Sequence, residues 1–169
     1  MPRVMSQVSV FLRQDDAVTE EIKISNVQVS NIPRYSYLID QQDTDNTNLN
    51  LFNGPEFTIS ASEGDKEYNG KQYHSFPTAI IAEKSFYKDG ADDETKAADP
   101  DYAAYIFINA TYGGIPTTYK ILLREGDANF RLLRNTNYNV YATIKQIGSK
   151  GIYVVIEPVK LYNICLLYT

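Results

Sequence analysis

Apolar and polar residues alternate along much of this chain. The clearest case lies towards the C-terminus, where one set of alternate positions is apolar: Tyr138, Val140, Ala142 and Ile144. The positions between them are Asn139, Tyr141, Thr143 and Lys145. A period of two places the two sets on opposite faces of a β-strand, and we expect the apolar set to be buried. A turn over 148–151 and a β-branched run over 152–156 follow, which predicts a hairpin whose second strand stops at Pro158.

The N-terminal part of the chain shows the same period. Over Gln7–Leu12 the apolar positions are Val8, Val10 and Leu12. Over Glu21–Ser30 they are Ile22, Ile24, Val27 and Val29, so the phase slips by one within the run. An extra residue in one strand restores the inward set, which predicts a β-bulge near Ser25–Asn26.

A second hairpin is predicted between 102 and 123. Tyr102–Tyr112 is rich in aromatic and β-branched residues, a Gly-Gly-Ile-Pro turn follows, and Thr118–Leu123 returns. Phe57–Ala61 and Thr78–Ala82 are shorter candidates, and no segment has helical periodicity. The predicted fold class is therefore all-β, a Greek-key β-sandwich of about eight strands with little helix.

Composition narrows the functional classes. The 169 residues fit one domain over 1–169, with a sub-boundary expected, if anywhere, within the irregular region 40–75. Net charge is −5 with no basic cluster, which disfavours nucleic acid as a partner. The apolar runs fall short of the roughly 20 residues of a membrane-spanning helix. One cysteine and one histidine leave no internal disulfide and no histidine-based zinc site.

The residues that could bind a metal or take part in catalysis are better explained by structural roles. We therefore predict that the protein is not an enzyme and has no catalytic, cofactor-binding or metal-binding residues. The acidic stretches 40–53 and 88–101 carry oxygen ligands suited to calcium, but they lack the spacing of a preformed calcium loop and are interpreted as solvated loops. His74 has no serine or cysteine context for a triad and is predicted to lie at the surface. Cys165 lies in an apolar run and is predicted to be a small buried hydrophobe.

The last ten residues are unusually apolar for a surface tail. One interpretation is a final core strand. The other is a strand donated to a neighbouring molecule, whose backbone would complete the neighbour's sheet while alternate side chains fill pockets. The candidate donor residues are Leu161, Tyr162, Ile164, Leu166 and Tyr168.

Several motifs, taken in order, resemble the fimbrillin family of Bacteroides-type bacteria. The strongest is 119–123 followed by 133–144, which contains an Arg-Asn-x-x-Tyr-x-Val run beginning at Arg134. Pro2–Val10, Ile24–Leu38 and Thr78–Lys84 are similar to further segments of the family, and the resemblance is tightest over 102–156. Family members are typically longer, with a lipoprotein signal and a further N-terminal domain, and the pattern around Met1–Met5 shows no signal; we therefore expect a partial or minimal member.

The resemblance implies a transthyretin-like β-sandwich that serves as a structural or adhesive subunit of surface fimbriae. It implies export to the cell surface in association with the outer membrane, and assembly with other fimbrial subunits into a homo- or hetero-polymer by strand exchange after proteolysis at an arginine. Arg3 and Arg13 are the candidate cut sites. Removal of an N-terminal strand near Val4–Leu12 would open the groove that accepts a neighbour's strand.

The alternative hypothesis is a secreted or surface carbohydrate-binding β-sandwich module. In that module exposed tyrosines, namely Tyr35, Tyr37, Tyr68 and Tyr73, would stack on glycan rings. The absence of tryptophan counts against it. No set of residues in the sequence supports a hydrolase.

Overall fold

In a computed structural model the described residues are 5–33, 51–52, 56–58, 64–82, 103–124, 130–148 and 150–161. They form strands and connecting turns and contain no helix, hence none that could cross a membrane. The strands are β1 (Met5–Gln14), β2 (Ile22–Ser30), β3 (Ile32–Pro33), β4 (Leu51–Phe52), β5 (Glu56–Thr58), β6 (Gly64–Tyr68), β7 (Lys71–Ser75), β8 (Ala79–Ala82), β9 (Tyr105–Tyr112), β10 (Ile115–Leu122), β11 (Thr136–Ile144) and β12 (Ile152–Lys160).

Two main sheets contain most of these strands. The larger has the order β12-β11-β1-β7-β6, with β8 also paired to β1, and the smaller has the order β10-β9-β2-β5. β3 and β4 form a separate pair. β1 lies inside the larger sheet, because it runs parallel to β11 from Gln7 to Gln14 and antiparallel to β8 and β7 on its other side.

The core lies between the two sheets. β1 and β11 contribute their inward-facing residues from one side, and β2, β9 and β10 contribute theirs from the other. The apolar set at Tyr138, Val140, Ala142 and Ile144 is buried as its period predicts. The predicted all-β sandwich of about eight strands is confirmed: the described residues form ten strands in the two main sheets, and β3 and β4 add a short two-residue pair.

The β-bulge predicted near Ser25–Asn26 is confirmed. The pairing of β2 with β9 shifts register between Ile24 and Asn26, so that Ile22 and Ile24 pack against the same core as Val27 and Val29. The amide of Asn109 donates a 2.8 Å hydrogen bond to Asn26 Oδ1 beside the shift. The bulge therefore reconciles two hydrophobic runs of opposite phase within one strand.

Both predicted hairpins are present, but the predicted end of the last strand at Pro158 was wrong. β12 continues through Pro158 to Lys160. Lys145 N–H donates to Gly151 O at 2.7 Å, and Leu161 N–H donates to Asn135 O at 2.8 Å. Hydrogen-bonded positions alternate along an antiparallel pair, so these two bonds place the odd-numbered residues of β12 on β11. Pro158, which has no N–H, faces away from β11 and interrupts none of its bonds.

The hairpin of β6 and β7 was missed in the region interpreted as irregular. Its strands are mostly polar and exposed, so they give no hydrophobic period. Asn69 and Gly70 occupy its turn with φ of 50° and 70°. Asn-Gly with both residues at positive φ is a strong signal for a two-residue hairpin turn, and it could have identified the hairpin from the sequence.

Candidate assembly surfaces

The position of β1 matters most for a chain in which strand exchange is expected. Val8, Val10 and Leu12 of β1 are almost completely buried in the core. Burying three such side chains contributes about 6 kcal/mol to stability. If β1 were absent, β11 would face β7 and β8 across a strand-wide gap whose floor is the core of the sandwich.

The Arg-Asn-x-x-Tyr-x-Val run anchors the beginning of β1. Asn135 adopts a left-handed φ of 56°, and its N–H donates to Met5 O at 3.0 Å. The buried Tyr138 hydroxyl accepts a 2.8 Å hydrogen bond from Leu133 N–H, and the carbonyl of Leu133 accepts a 2.7 Å bond from Ser6 Oγ. The motif therefore shapes the segment before β11 so that it holds the first residues of β1.

Arg13, one of the two candidate cut sites, lies near the end of β1. Its side chain is 11% exposed, and Nη2 lies 2.7 Å from Asp16 Oδ1. Lys71 Nζ contacts the other carboxylate oxygen of Asp16 at 2.6 Å. The hydrogen bond from Lys71 and then that from Arg13 lower the pKa of Asp16 below its usual value. Arg13 is thus held by neighbours from the following turn and from β7.

The outer face of the larger sheet carries an aromatic cluster, defined as Phe11, Tyr68, Tyr73, Tyr141 and Val155. The Tyr141 ring lies at its centre, stacked on Phe11 with centroids 4.9 Å apart and contacting Tyr73 edge-on at 5.5 Å. Tyr68 also stacks on Tyr141. This second, smaller core explains why Tyr141 is buried although its period places it on the outer face.

The aromatic cluster changes the expectation for two of the tyrosines proposed to stack on glycan rings. Tyr73 is 7% exposed, and its hydroxyl lies 3.3 Å from Thr143 Oγ1 in the interior of the cluster. Tyr68 is half-buried with one ring face on Tyr141. The expectation that Tyr73 is an exposed stacking residue was therefore wrong, and Tyr35 and Tyr37 lie outside the described residues.

An apolar cavity of about 160 Å³ lies at one end of the sandwich. It is lined mainly by aliphatic and aromatic side chains: Leu12, Arg13, Gln14, Ile22, Ile24, His74, Phe76 and Ile144. His74 is exposed, as predicted, and its Nδ1 lies 2.8 Å from Asp65 Oδ1. The described residues contain no group of three histidine, cysteine or acidic side chains that could hold a metal ion.

Several predicted features lie outside the described residues. They are Arg3, the donor residues Tyr162, Ile164, Leu166 and Tyr168, the thiol of Cys165, and almost all of the acidic stretches 40–53 and 88–101. Leu161 is described and follows β12 directly, with its N–H bonded to Asn135 O. The structure therefore describes the β1 side of the expected strand exchange and the point at which the donor segment begins.

Comparison with solved structures identifies the fold. A candidate cell adhesion protein from Parabacteroides distasonis superposes with a TM-score of 0.57 at 14% identity, over 94% of this chain and 52% of that one. A second from the same species gives 0.53 at 12% identity, over 95% and 60%. The tip fimbrial protein Mfa3 from Porphyromonas gingivalis, with a C-terminal truncation, gives 0.51 at 11% identity, over 94% and 52%.

This chain has a fimbrillin-like fold. It spans 52 to 60% of the length of those three structures. No protein-family model and no curated protein sequence matches it. At these identities the likeness concerns the fold, and the finer assignment is a matter of proposal.

Proposed function

We propose that this chain is a structural or adhesive subunit of a bacterial surface fimbria that assembles by strand exchange. The observation that carries the proposal is the place of β1, an N-terminal strand inside the larger sheet whose removal opens a groove with an apolar floor. Such a groove leaves backbone groups on both sides unpaired, and a strand from another subunit can pair with them. The fold shared with cell adhesion and fimbrial tip proteins supports this choice.

The residues after β12 alternate in the same way as the inward-facing residues of β1. β1 presents Ser6, Val8, Val10 and Leu12 towards the interior. Tyr162, Ile164, Leu166 and Tyr168 form an alternating set of the same number, directly after β12. In an exchanged strand those four side chains would occupy the positions that β1 vacates, with Leu161 at the start. A contact between a groove on one subunit and a tail on the next joins different surfaces, so it propagates into a fibre.

The location of Arg13 sets a condition on cleavage. A cut after Arg3 would leave β1 in place, whereas a cut after Arg13 would release nearly all of it. Because the Arg13 side chain is mostly buried and the residue pairs with Thr143, a protease can reach it only before β1 docks or after β1 opens. We therefore propose that cleavage and exchange take place on a chain whose β1 is not docked.

Electrophoresis in SDS without boiling tests this proposal, because fibres joined by exchanged strands resist detergent. We expect a chain that lacks residues 1–13, and therefore nearly all of β1, to give a ladder, and the same chain ending at Lys160 to give none. Ile164→Asp and Leu166→Asp should also abolish the ladder, while Asn163→Asp should keep it, because alternation would place residue 163 on the opposite face of an exchanged strand. Unchanged polymerisation of the truncated chain would contradict the proposal.

A further inference from the structure

The outer edge of β12 differs from the other sheet edges whose side chains the structure describes. The β6 edge is exposed and charged through Asp65, Lys66 and Glu67. The β10 edge carries Pro116 and Lys120. Proline and charge are the usual protection of an edge strand against pairing with another chain. The β12 run Ile152–Ile156 contains neither, and within the described part of the chain no strand pairs with its second edge.

The hydrogen-bonding phase of β12 shows which backbone groups this edge offers. The bonds to Gly151 O and from Leu161 N–H place the odd-numbered residues of β12 on β11. The N–H and C=O groups of Ile152, Val154 and Ile156 therefore point away from the sheet. Pro158 is the next residue with this orientation, and it has no N–H to offer. The usable edge is thus a run of five residues, bounded by the turn at Gly151 and by Pro158.

The side chains of this run are only partly covered on both faces. Ile152, Val154 and Ile156 pack against the main core but stay partly exposed. On the outer face Val155 packs against the aromatic cluster, and Tyr153 is 58% exposed beside Lys145. A further strand along this edge would extend both cores and cover these side chains.

We propose that the β12 edge is a self-association surface, where Ile152–Ile156 pairs antiparallel with the same run of a second copy about a two-fold axis at Val154. In this register Val154 faces Val154 of the second copy, and Ile152 faces Ile156. All three outward-facing residues of each copy then make hydrogen-bonded pairs. The nearest registers that keep outward-facing residues opposite each other are shifted by two residues, and they bring Pro158 or Lys150 into the pairing. Opposite Pro158, the C=O of Ile152 has no N–H to pair with.

The chemistry across the interface favours a second copy over an unrelated strand. Every facing pair in this register is aliphatic or joins Tyr153 to Val155, and aromatic with β-branched pairs are favourable cross-strand neighbours. No like charges face each other, because Glu157 lies opposite Gly151 of the second copy with Lys150 adjacent. A two-fold contact of this kind closes on itself, so it produces pairs and not fibres. It is independent of strand exchange at β1.

Disulfide trapping tests the register directly. In a full chain carrying Cys165→Ala, Val154→Cys should form a cross-linked dimer on mild oxidation, because directly opposed Cα atoms lie ~5.5 Å apart, within the range of a disulfide. Ile156→Cys in the same background is the matched control. Its two copies would lie ~14 Å apart along the strands, and it should stay monomeric. Equal cross-linking of the two variants, or none with Val154→Cys, would overturn the proposal.

A second measurement shows whether backbone pairing causes the association. Sedimentation equilibrium of the full chain should show a monomer–dimer equilibrium, which Val154→Pro weakens by about tenfold or more, because it removes an outward N–H from each copy. The native Pro158 shows that β12 accepts proline in this orientation, and circular dichroism should confirm the fold. Val154→Thr keeps the N–H and should still dimerise. A wild-type chain that is monomeric throughout, or a proline variant that dimerises equally, would overturn the proposal.

The native Cys165 tests whether the segment after Leu161, and not a second copy of the chain, covers the β12 edge. In a Val154→Cys chain that keeps Cys165, a disulfide between positions 154 and 165 would mean that the segment after Leu161 covers this edge, and would contradict self-pairing. A disulfide between two copies of position 154 would support it. Mass spectrometry of non-reduced peptides separates the two bonds. Because a failed strand exchange removes the detergent-resistant ladder and leaves these cross-links unchanged, the two proposals fail separately.

Discussion

The ring of Tyr68 stacks on that of Tyr141 with centroids 3.8 Å apart and planes inclined by 11°. Tyr68 belongs to β6 and Tyr141 to β11, and β7 and β1 lie between these two strands in the sheet. Tyr68 thereby bridges over the outer face, and its hydroxyl donates a 2.6 Å hydrogen bond to Glu157 of β12. Tyr68 and the aromatic cluster thus add a side-chain anchor to the pairing of β7 with β1, and together they hold a hairpin whose own strands are mostly polar.

The hydrogen bond from Tyr68 predicts a specific pH dependence. The hydrogen bond that Tyr68 donates to Glu157 raises the pKa of Tyr68 from 10.0 to about 12, and burial and the negative charge of Glu157 contribute to the increase. The folded state therefore favours the protonated phenol, and the stabilisation is complete below pH 10.0 and is lost as the pH rises through about 12. Tyr68→Phe keeps the stacked ring and lacks this stabilisation.

Urea unfolding of wild type and Tyr68→Phe at a series of pH values measures the effect. We expect the variant to be less stable at neutral pH, and the difference to shrink above pH 10.0. All other ionisable groups are the same in the two proteins, so their contributions cancel in the comparison. A difference that stays constant through pH 12 would show that the hydroxyl does not carry the stabilisation.

Among the residues on the outer face, Tyr141 at the centre of the aromatic cluster should be the one whose substitution lowers the free energy of unfolding most. Tyr141 contacts three other rings and is 4% exposed. Tyr141→Ala leaves a cavity and removes those contacts, so we expect a loss of about 3 kcal/mol in the free energy of unfolding. Tyr153→Ala on the same face is the matched control and should cost less than about 0.5 kcal/mol. Equal losses would mean that the aromatic cluster does not stabilise the sheet.

The inner face of the sandwich could be predicted from the sequence because burial there imposes a period of two. Val8, Val10 and Leu12 alternate for this reason, and the slip between Ile24 and Val27 located the bulge. The outer face could not be predicted in the same way. Tyr141 and Thr143 occupy positions that the period marks as exposed, and only the return of Tyr68 and Tyr73 from a distant hairpin buries them.

The candidate assembly surfaces were predictable only in part. The motif around Tyr138 and the alternation of β1 marked two strands that the structure contains, but the parallel pairing of β1 with β11 joins residues about 130 positions apart, and no local pattern encodes it. The open edge of β12 was hidden for another reason. Pro158 suggested a strand end, whereas its effect depends on which side of the strand its missing N–H faces.

The turn between β11 and β12 predicts a further sensitive position. A Cβ atom added at Gly151 would lie 1.9 Å from the carbonyl oxygen of Gln146, which real contacts do not reach. Gly151→Ala must therefore displace the turn that holds the β12 register, and we expect a loss of about 2 kcal/mol or more in stability. Lys150→Ala, an exposed neighbour, should be nearly neutral. Thermal unfolding of the two variants compares them, and equal midpoints would contradict this account of the turn.

The enclosure of Arg13 predicts how the folded chain resists trypsin. Arg13 lies within β1, its guanidinium contacts Asp16, and it lies over the ring of Tyr73 at 5.8 Å. Cleavage after Arg13 therefore requires β1 to open, whereas Lys150 lies exposed in a turn and should be cut first.

If β1 opens only with the whole sandwich, a core substitution in the other sheet should accelerate the Arg13 cut. Ile108→Ala is such a substitution and should lower stability by about 3 kcal/mol. Its effect on the cleavage rate at Arg13 should approach the factor that this loss implies, about a hundredfold. Time-resolved mass spectrometry of the fragments measures both sites. An Arg13 rate that is unaffected by Ile108→Ala would mean that β1 detaches on its own, and a rate as fast as that at Lys150 would mean that β1 is not docked in the free subunit.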